Sequence, residues 1–128
     1  MNSLDADLVT TLLDDFYDRV RRDCVLGPVF TEIIGQNWDA HMARINSFWR
    51  TALRLDRSYP GRDFMPAHWR HAAIRAEHLP IWLKLFEEAV QNVVPEQARG
   101  EFLRIAQAMA ENLALGLDRR DAAIANKV

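Results

Sequence analysis

The chain has 128 residues, enough for one core burying about two thirds of the unfolded surface, so residues 1–128 are expected to form a single domain. With 49% hydrophobic and 27% charged residues and only 5 Gly and 5 Pro, its composition is not that of a disordered or linker-rich chain. A net charge of −2 lacks the electrostatic footprint of a nucleic-acid binder or a membrane-surface protein, so neither partner is expected.

The opening residues are acidic and polar where a signal peptide would be basic and then apolar, and no run has the length of a membrane span. A cytoplasmic protein is the expectation. From Leu4 to about Arg22, the apolar residues Leu8, Val9, Leu12, Leu13, Phe16, Tyr17 and Val20 recur at threes and fours. Asp14, Asp15, Asp18 and Arg21 fall on the opposite face. This is an amphipathic helix, with Asp5 or Asp7 as its cap and its end near Asp23 or Cys24. Cys24 is the single cysteine, so the chain can make no internal disulfide and has no Cys pair for zinc.

After a turn at Gly27-Pro28, a short helical piece is expected from Val29 to Ile34, ending at Gly35. Asn37 to about Leu55 then sets Trp38, His41, Met42, Ile45, Phe48, Trp49, Ala52 and Leu53 on one stripe, a second strong helix. Tyr59-Pro60-Gly61 ends it. Asp63 to Arg75 is less regular, with Pro66, His68, Trp69 and His71 crowded together. Glu77 to Val93 reads as a third helix, with Pro80 in its first turn, where a missing N–H costs nothing. Pro95-Glu96 opens a last helix that buries Phe102, Ile105, Ala106, Met109, Ala110, Leu113, Ala114 and Leu117, and the tail after Arg119 is expected to fray. Neither sustained period-two alternation nor a hairpin dipeptide between apolar runs occurs, so the fold class is all-α.

All four histidines, His41, His68, His71 and His78, lie in the middle third of the chain. His41 falls between Trp38 and Ile45 on an inward stripe, where an imidazole needs a partner or a ligand. A packed histidine at the core edge and a ligand-contacting one both suit that place. His68 and His71 are three apart and, with His78, could hold a divalent metal, but no Asp, Glu or Cys supports them on the same face. Tyr17 brings a hydroxyl onto an apolar stripe, and Trp82 is inward on the third helix. Nucleophile elbow, phosphate-cradling loop and paired carboxylates are all missing from the sequence, so any reactivity would come from a cofactor. Haem, a large flat apolar body, suits helices rich in Leu, Phe, Trp and Ile, and one imidazole would serve its iron.

Phe16-Tyr17, Val20-Arg21, Asp23 and Leu26-Gly27-Pro28-Val29-Phe30 resemble the opening of the group III truncated haemoglobins, a bacterial globin family. The resemblance continues in order through Trp38, His41, Ile45 and Phe48-Trp49, then Tyr59, Gly61 and His68. Glu77-His78-Leu79 and Trp82-Leu83-Lys84-Leu85-Phe86 complete it. It implies a truncated globin fold, a two-over-two helical sandwich around haem b. His68 would be the proximal iron ligand, Tyr17 the distal hydroxyl, His41 the distal-helix histidine and Trp82 the distal indole. Ile45 would touch the haem face, with Phe30 and Trp49 lining or supporting the pocket. The segment between Gly61 and His68 is longer than the family's pattern, and His71 offers a second imidazole; the distance in sequence to Trp82 favours His68.

The implied function is binding of oxygen, carbon monoxide or nitric oxide at a Tyr/Trp/His pocket. Tight binding would suit gas scavenging, nitric oxide or peroxide detoxification or redox chemistry rather than bulk oxygen transport. A nitric oxide dioxygenase or peroxidase-like activity would need a reductase partner. Two other classes stay open on the residues alone, a haem-free helical interaction module and a small metal-binding protein using His68, His71 and His78.

Overall fold

The computed structural model describes residues 5–59 and 74–125. These residues form α1 (Ala6–Arg22), α2 (Leu26–Ile34), α3 (Trp38–Ala52), α4 (His78–Val93) and α5 (Glu96–Ala125), with no strand among the described residues.

α1 starts where the Asp5 side chain accepts a hydrogen bond from the Leu8 N–H at 2.8 Å, satisfying a donor that the helix itself leaves open. Asp7 in the first turn and Arg19, Arg21 and Arg22 in the last complement the helix dipole. Its stripe of Val9, Leu12, Leu13, Phe16, Tyr17 and Val20 is buried as the periodicity predicts. α2 begins at Leu26, earlier than the sequence suggests. The Asp23 carboxylate accepts from the N–H groups of Val25 and Leu26 at 3.0 and 2.9 Å, and this turn starts the helix directly. Pro28 then falls in the first turn, where its missing N–H is not needed. Gly27 is required by proximity: a Cβ there would lie 2.8 Å from the Arg21 carbonyl oxygen. Gly35, at φ +58°, closes α2 in a conformation that favours glycine.

α3 ends at Ala52, short of Leu55, because Arg54 turns the chain with φ +64° and the Leu55 N–H bonds back to the Arg50 carbonyl at 2.8 Å. α4 carries Pro80 in its first turn, as expected. At its far end Arg99 reaches back and donates to the carbonyls of Val94 and Gln91 at 2.8 and 3.2 Å. α5 continues to Ala125, beyond the fraying expected after Arg119. The Ala-rich, helix-favouring stretch after Arg120 accounts for the extension.

α1 packs on α2, α3 and α4, and α4 packs on α5. The pairs α1/α3 and α4/α5 thus meet through α1 and α4, which is the two-over-two arrangement. One cluster of buried side chains runs through the contact, with Phe16, Trp49, Phe86 and Phe102 each at most 1% exposed. Each such ring contributes on the order of 1.5–3 kcal/mol by leaving water. At the surface Arg19 bridges Asp15 on its own helix and Glu88 of α4, while Asn92 donates to Asp15 at 2.6 Å. These exposed contacts align α1 and α4 but add little stability.

Candidate functional site

Phe16 and Tyr17 are adjacent on α1, so their side chains point about 100° apart around the helix axis and enter different surroundings. Phe16 turns toward α4, edge-on to Phe86 at 5.2 Å and to Trp82 at 5.7 Å. Tyr17 turns toward α2 and α3. Its ring lies 5.2 Å from His41, 6.0 Å from Phe30 and 6.1 Å from Trp38. His41 and Trp38 also meet edge to face, at 6.0 Å. Apart from the tilted Tyr17–Phe30 pair, these contacts are near-perpendicular and set the positive ring edges against neighbouring π faces, the favoured aromatic geometry.

Tyr17 is 5% exposed, and among the described residues no hydrogen bond is made to its hydroxyl. Burial pushes its phenol well above the ordinary tyrosine range, so the O–H stays protonated and can only act as a neutral group. A phenol inside an aromatic cluster without a partner carries a desolvation cost that a polar ligand would relieve. A hydroxyl in such surroundings can serve as a polar anchor for a small ligand. The surrounding rings provide the apolar enclosure that haem needs, so these residues fit the group implied by resemblance.

The other predicted residues fall around this centre or beside it. Ile45 follows His41 by one turn of α3 and is 8% exposed. Phe30 and Trp82 are half-buried. Trp82 stacks on Phe86 at 5.7 Å, and Trp49 stacks on the same ring at 5.1 Å. Trp49, 1% exposed and 5.7 Å from Phe102, lies inside the core. His68, and the alternative ligand His71, lie outside the described residues.

His78 has a structural place. It is buried at the start of α4, and its Nδ1 accepts the Arg75 N–H at 3.1 Å, which leaves the proton of the neutral ring on Nε2. Among the described residues no group of three or more His, Cys, Asp or Glu side chains could hold a metal ion. Nor is any described helix long and apolar enough to cross a membrane. A crevice of about 360 Å³ opens between α1 and α3, bordered by Thr10, Met42, Asn46 and Arg50. None of the predicted pocket residues lines it, and Asn46 donates to Thr10 across it at 2.9 Å.

Sequence reasoning assigns no role to Arg21, which falls on the charged face of α1, or to Trp38 beyond its place on a helical stripe. In the fold, the Arg21 guanidinium carbon sits 4.0 Å from the centre of the Trp38 ring. The spacing Tyr17 to Arg21, one turn of helix, was the available signal, but the partner ring is on another helix.

No protein-family model matches the chain. A curated protein, the Group 3 truncated hemoglobin ctb of Campylobacter jejuni, is 33% identical over 113 residues, which cover 86% of this chain and 88% of that protein. The crystal structure of the group III truncated hemoglobin from Campylobacter jejuni aligns with a TM-score of 0.84 at 32% identity, covering 91% of this chain and 94% of that one.

Proposed function

This chain belongs to the group III truncated haemoglobins, and on that premise we propose that it holds haem b and takes up diatomic gases beside Tyr17, His41 and Trp82. The observation that carries the reading is Tyr17, a residue 5% exposed in a cluster of rings, to whose hydroxyl no described residue hydrogen-bonds. Bound haem would supply an iron able to take oxygen, carbon monoxide or nitric oxide.

The chain's own residues do the rest. In this proposal, His68 would hold the haem iron through one ring nitrogen, and a carbonyl or water bonded to its second ring N–H would fix the tautomer. Tyr17 donates its hydroxyl proton in a hydrogen bond to the polar ligand, and burial keeps that proton in place. Trp82 adds its indole N–H. Each donor is worth about 1–3 kcal/mol toward a partly charged acceptor. His41, edge-on to Tyr17, restricts approach to the hydroxyl. Ile45 offers apolar contact to the haem face, while Phe30 packs behind Tyr17 and Trp49 holds α3 against the core. Two donors on one ligand slow its release, which suits scavenging, nitric oxide or peroxide detoxification or redox chemistry rather than bulk carriage. Turnover of the dioxygenase or peroxidase kind draws electrons from a reductase. A single globin domain over residues 1–128 acting in the cytoplasm completes the reading.

Absorption spectroscopy tests it. The wild type is expected to show a Soret band after expression with haem, lost in His68→Ala and kept in His71→Ala. A wild type that takes up no haem would sink the proposal, and loss of the band in His71→Ala alone would move the proximal role to that residue. Tyr17→Phe is expected to speed oxygen release by about ten-fold, from the loss of one such hydrogen bond. An unchanged rate removes Tyr17 from the mechanism.

A further inference from the structure

We infer that Arg21 is a positioning residue, which pins the Trp38 ring and through it holds Tyr17 and His41 in their edge-on arrangement. The inference rests on the proposed pocket for its functional consequence, but the placement itself is independent of haem.

α3 has a weak beginning. Asn37 precedes it without a side-chain capping hydrogen bond, and the chain arrives from Gly35 at φ +58° through the short link Gln36-Asn37. The first turn of α3 is therefore held mainly by what its side chains touch. Trp38 is the large one there. Its ring meets Tyr17 at 6.1 Å and His41 at 6.0 Å, both nearly perpendicular, and these two meet each other at 5.2 Å. The two contacts that Trp38 makes depend on the plane of its indole, and the Tyr17–His41 contact lies directly against them.

Arg21 sets that plane. It lies one turn beyond Tyr17 on α1, and its guanidinium carbon stands 4.0 Å over the indole centre, within the range in which a cation is drawn to the ring face. Arg21 is exposed, whereas Trp38 is half-buried, so the guanidinium covers the ring from the solvent side. Among the described residues, Arg21 forms no ion pair, in contrast to its neighbours Arg19 and Arg22, which pair with Asp15 and Asp18. Its charge is thus directed at the indole. The polar pair Tyr17 and His41 is closed from outside by a cation resting on an aromatic lid, and α1 is tied to the start of α3 at the same point.

The test compares the wild type with Arg21→Gln, which removes the charge, and Arg21→Lys, which keeps it. The first readout is amide hydrogen exchange over residues 36–43 in the protein as purified. Arg21→Gln is expected to speed exchange there by about two- to five-fold, the size of an exposed cation–π contact, with α4 and α5 unaffected. Arg21→Lys is expected to restore most of the protection. The second readout is carbon monoxide binding to the haem-loaded protein. Arg21→Gln is expected to raise the association rate by a similar factor and to shift the C–O stretching band, with partial return in Arg21→Lys. Exchange unchanged in Arg21→Gln overturns the inference, and so does faster exchange with the carbon monoxide rate and band unmoved. Failure of the wild type to take up haem would instead remove the proposed function, and hydrogen exchange would then decide the placement alone.

Discussion

Two groups of aromatic rings meet at Phe16 and Tyr17, and they differ in chemistry more than in composition. On the α4 side, Trp82, Phe86 and Trp49 lie nearly parallel, with Phe102 and Phe16 closing the stack. Apart from Trp82, its members are at most 1% exposed. On the α3 side, Tyr17, Trp38 and His41 meet edge to face, with polar atoms among the rings, two half-buried members and a cation over one of them. The stack is mostly apolar ring surface withdrawn from water, its polar atoms being the indole N–H groups of Trp49 and of the half-buried Trp82, so its main contribution is stability. The edge-on group carries a hydroxyl to which no described residue hydrogen-bonds, so burying Tyr17 contributes less stability than burying a purely apolar ring. Two neighbouring residues of one helix belong to opposite sides of that division.

The sharpest way to separate the two groups is to remove Phe86, the ring stacked between Trp49 and Trp82. Phe86→Ala is expected to lower unfolding stability by about 3–5 kcal/mol in chemical denaturation, because nothing can refill a site between two indoles. A loss below about 1 kcal/mol, smaller than core truncations normally give, would show that the stack is not the stabilising half.

Gly27→Ala acts on the other side. Its Cβ would press on the Arg21 carbonyl at 2.8 Å and push α2, with Phe30, away from Tyr17. A destabilisation of about 1–3 kcal/mol is expected, as for overpacking. Near-ultraviolet circular dichroism should change with it. An unaltered Tm would mean that the helix junction gives way easily.

Tyr17 provides a pH test of the same contrast. Its phenol is raised above the ordinary value by burial, so the folded protein keeps a proton that the unfolded chain releases. The unfolded state then binds fewer protons, and stability falls as pH rises. The contribution is complete below about pH 10, the ordinary tyrosine value, and is lost progressively above it. Denaturation midpoints at rising alkaline pH should fall more steeply in the wild type than in Tyr17→Phe, and parallel curves would refute the assignment.

The smallest effect expected is that of Tyr17→Phe on stability at neutral pH. Removing a hydroxyl with no partner among the described residues leaves the ring contacts intact, so stability should change by less than about 1 kcal/mol and in the favourable direction. A large loss would reveal that the hydroxyl is structural and would erase the distinction between the two groups.

Much of the architecture was readable before folding was considered. The stripe of Val9, Leu12, Leu13, Phe16, Tyr17 and Val20 is inward as its period demands, and Pro80 stands in the first turn that tolerates it. The start of α2 was less legible, because Gly27-Pro28 reads as a turn until the Asp23 carboxylate is seen to begin the helix on the residues before them. The haem reading came from ordered resemblance, since no local spacing of histidines specifies it.

By itself, the sequence determined an all-α chain, the inward faces of its helices and the inclusion of Tyr17 and His41 among inward residues, because helical periodicity is a property of consecutive residues. Only the tertiary structure decided that Tyr17 faces His41 and Trp38 while its neighbour Phe16 faces Phe86, that Trp49 joins the core stack, and that Arg21 rests on Trp38. These contacts join separate helices, and their geometry depends on how the helices cross, which no window along a single helix records.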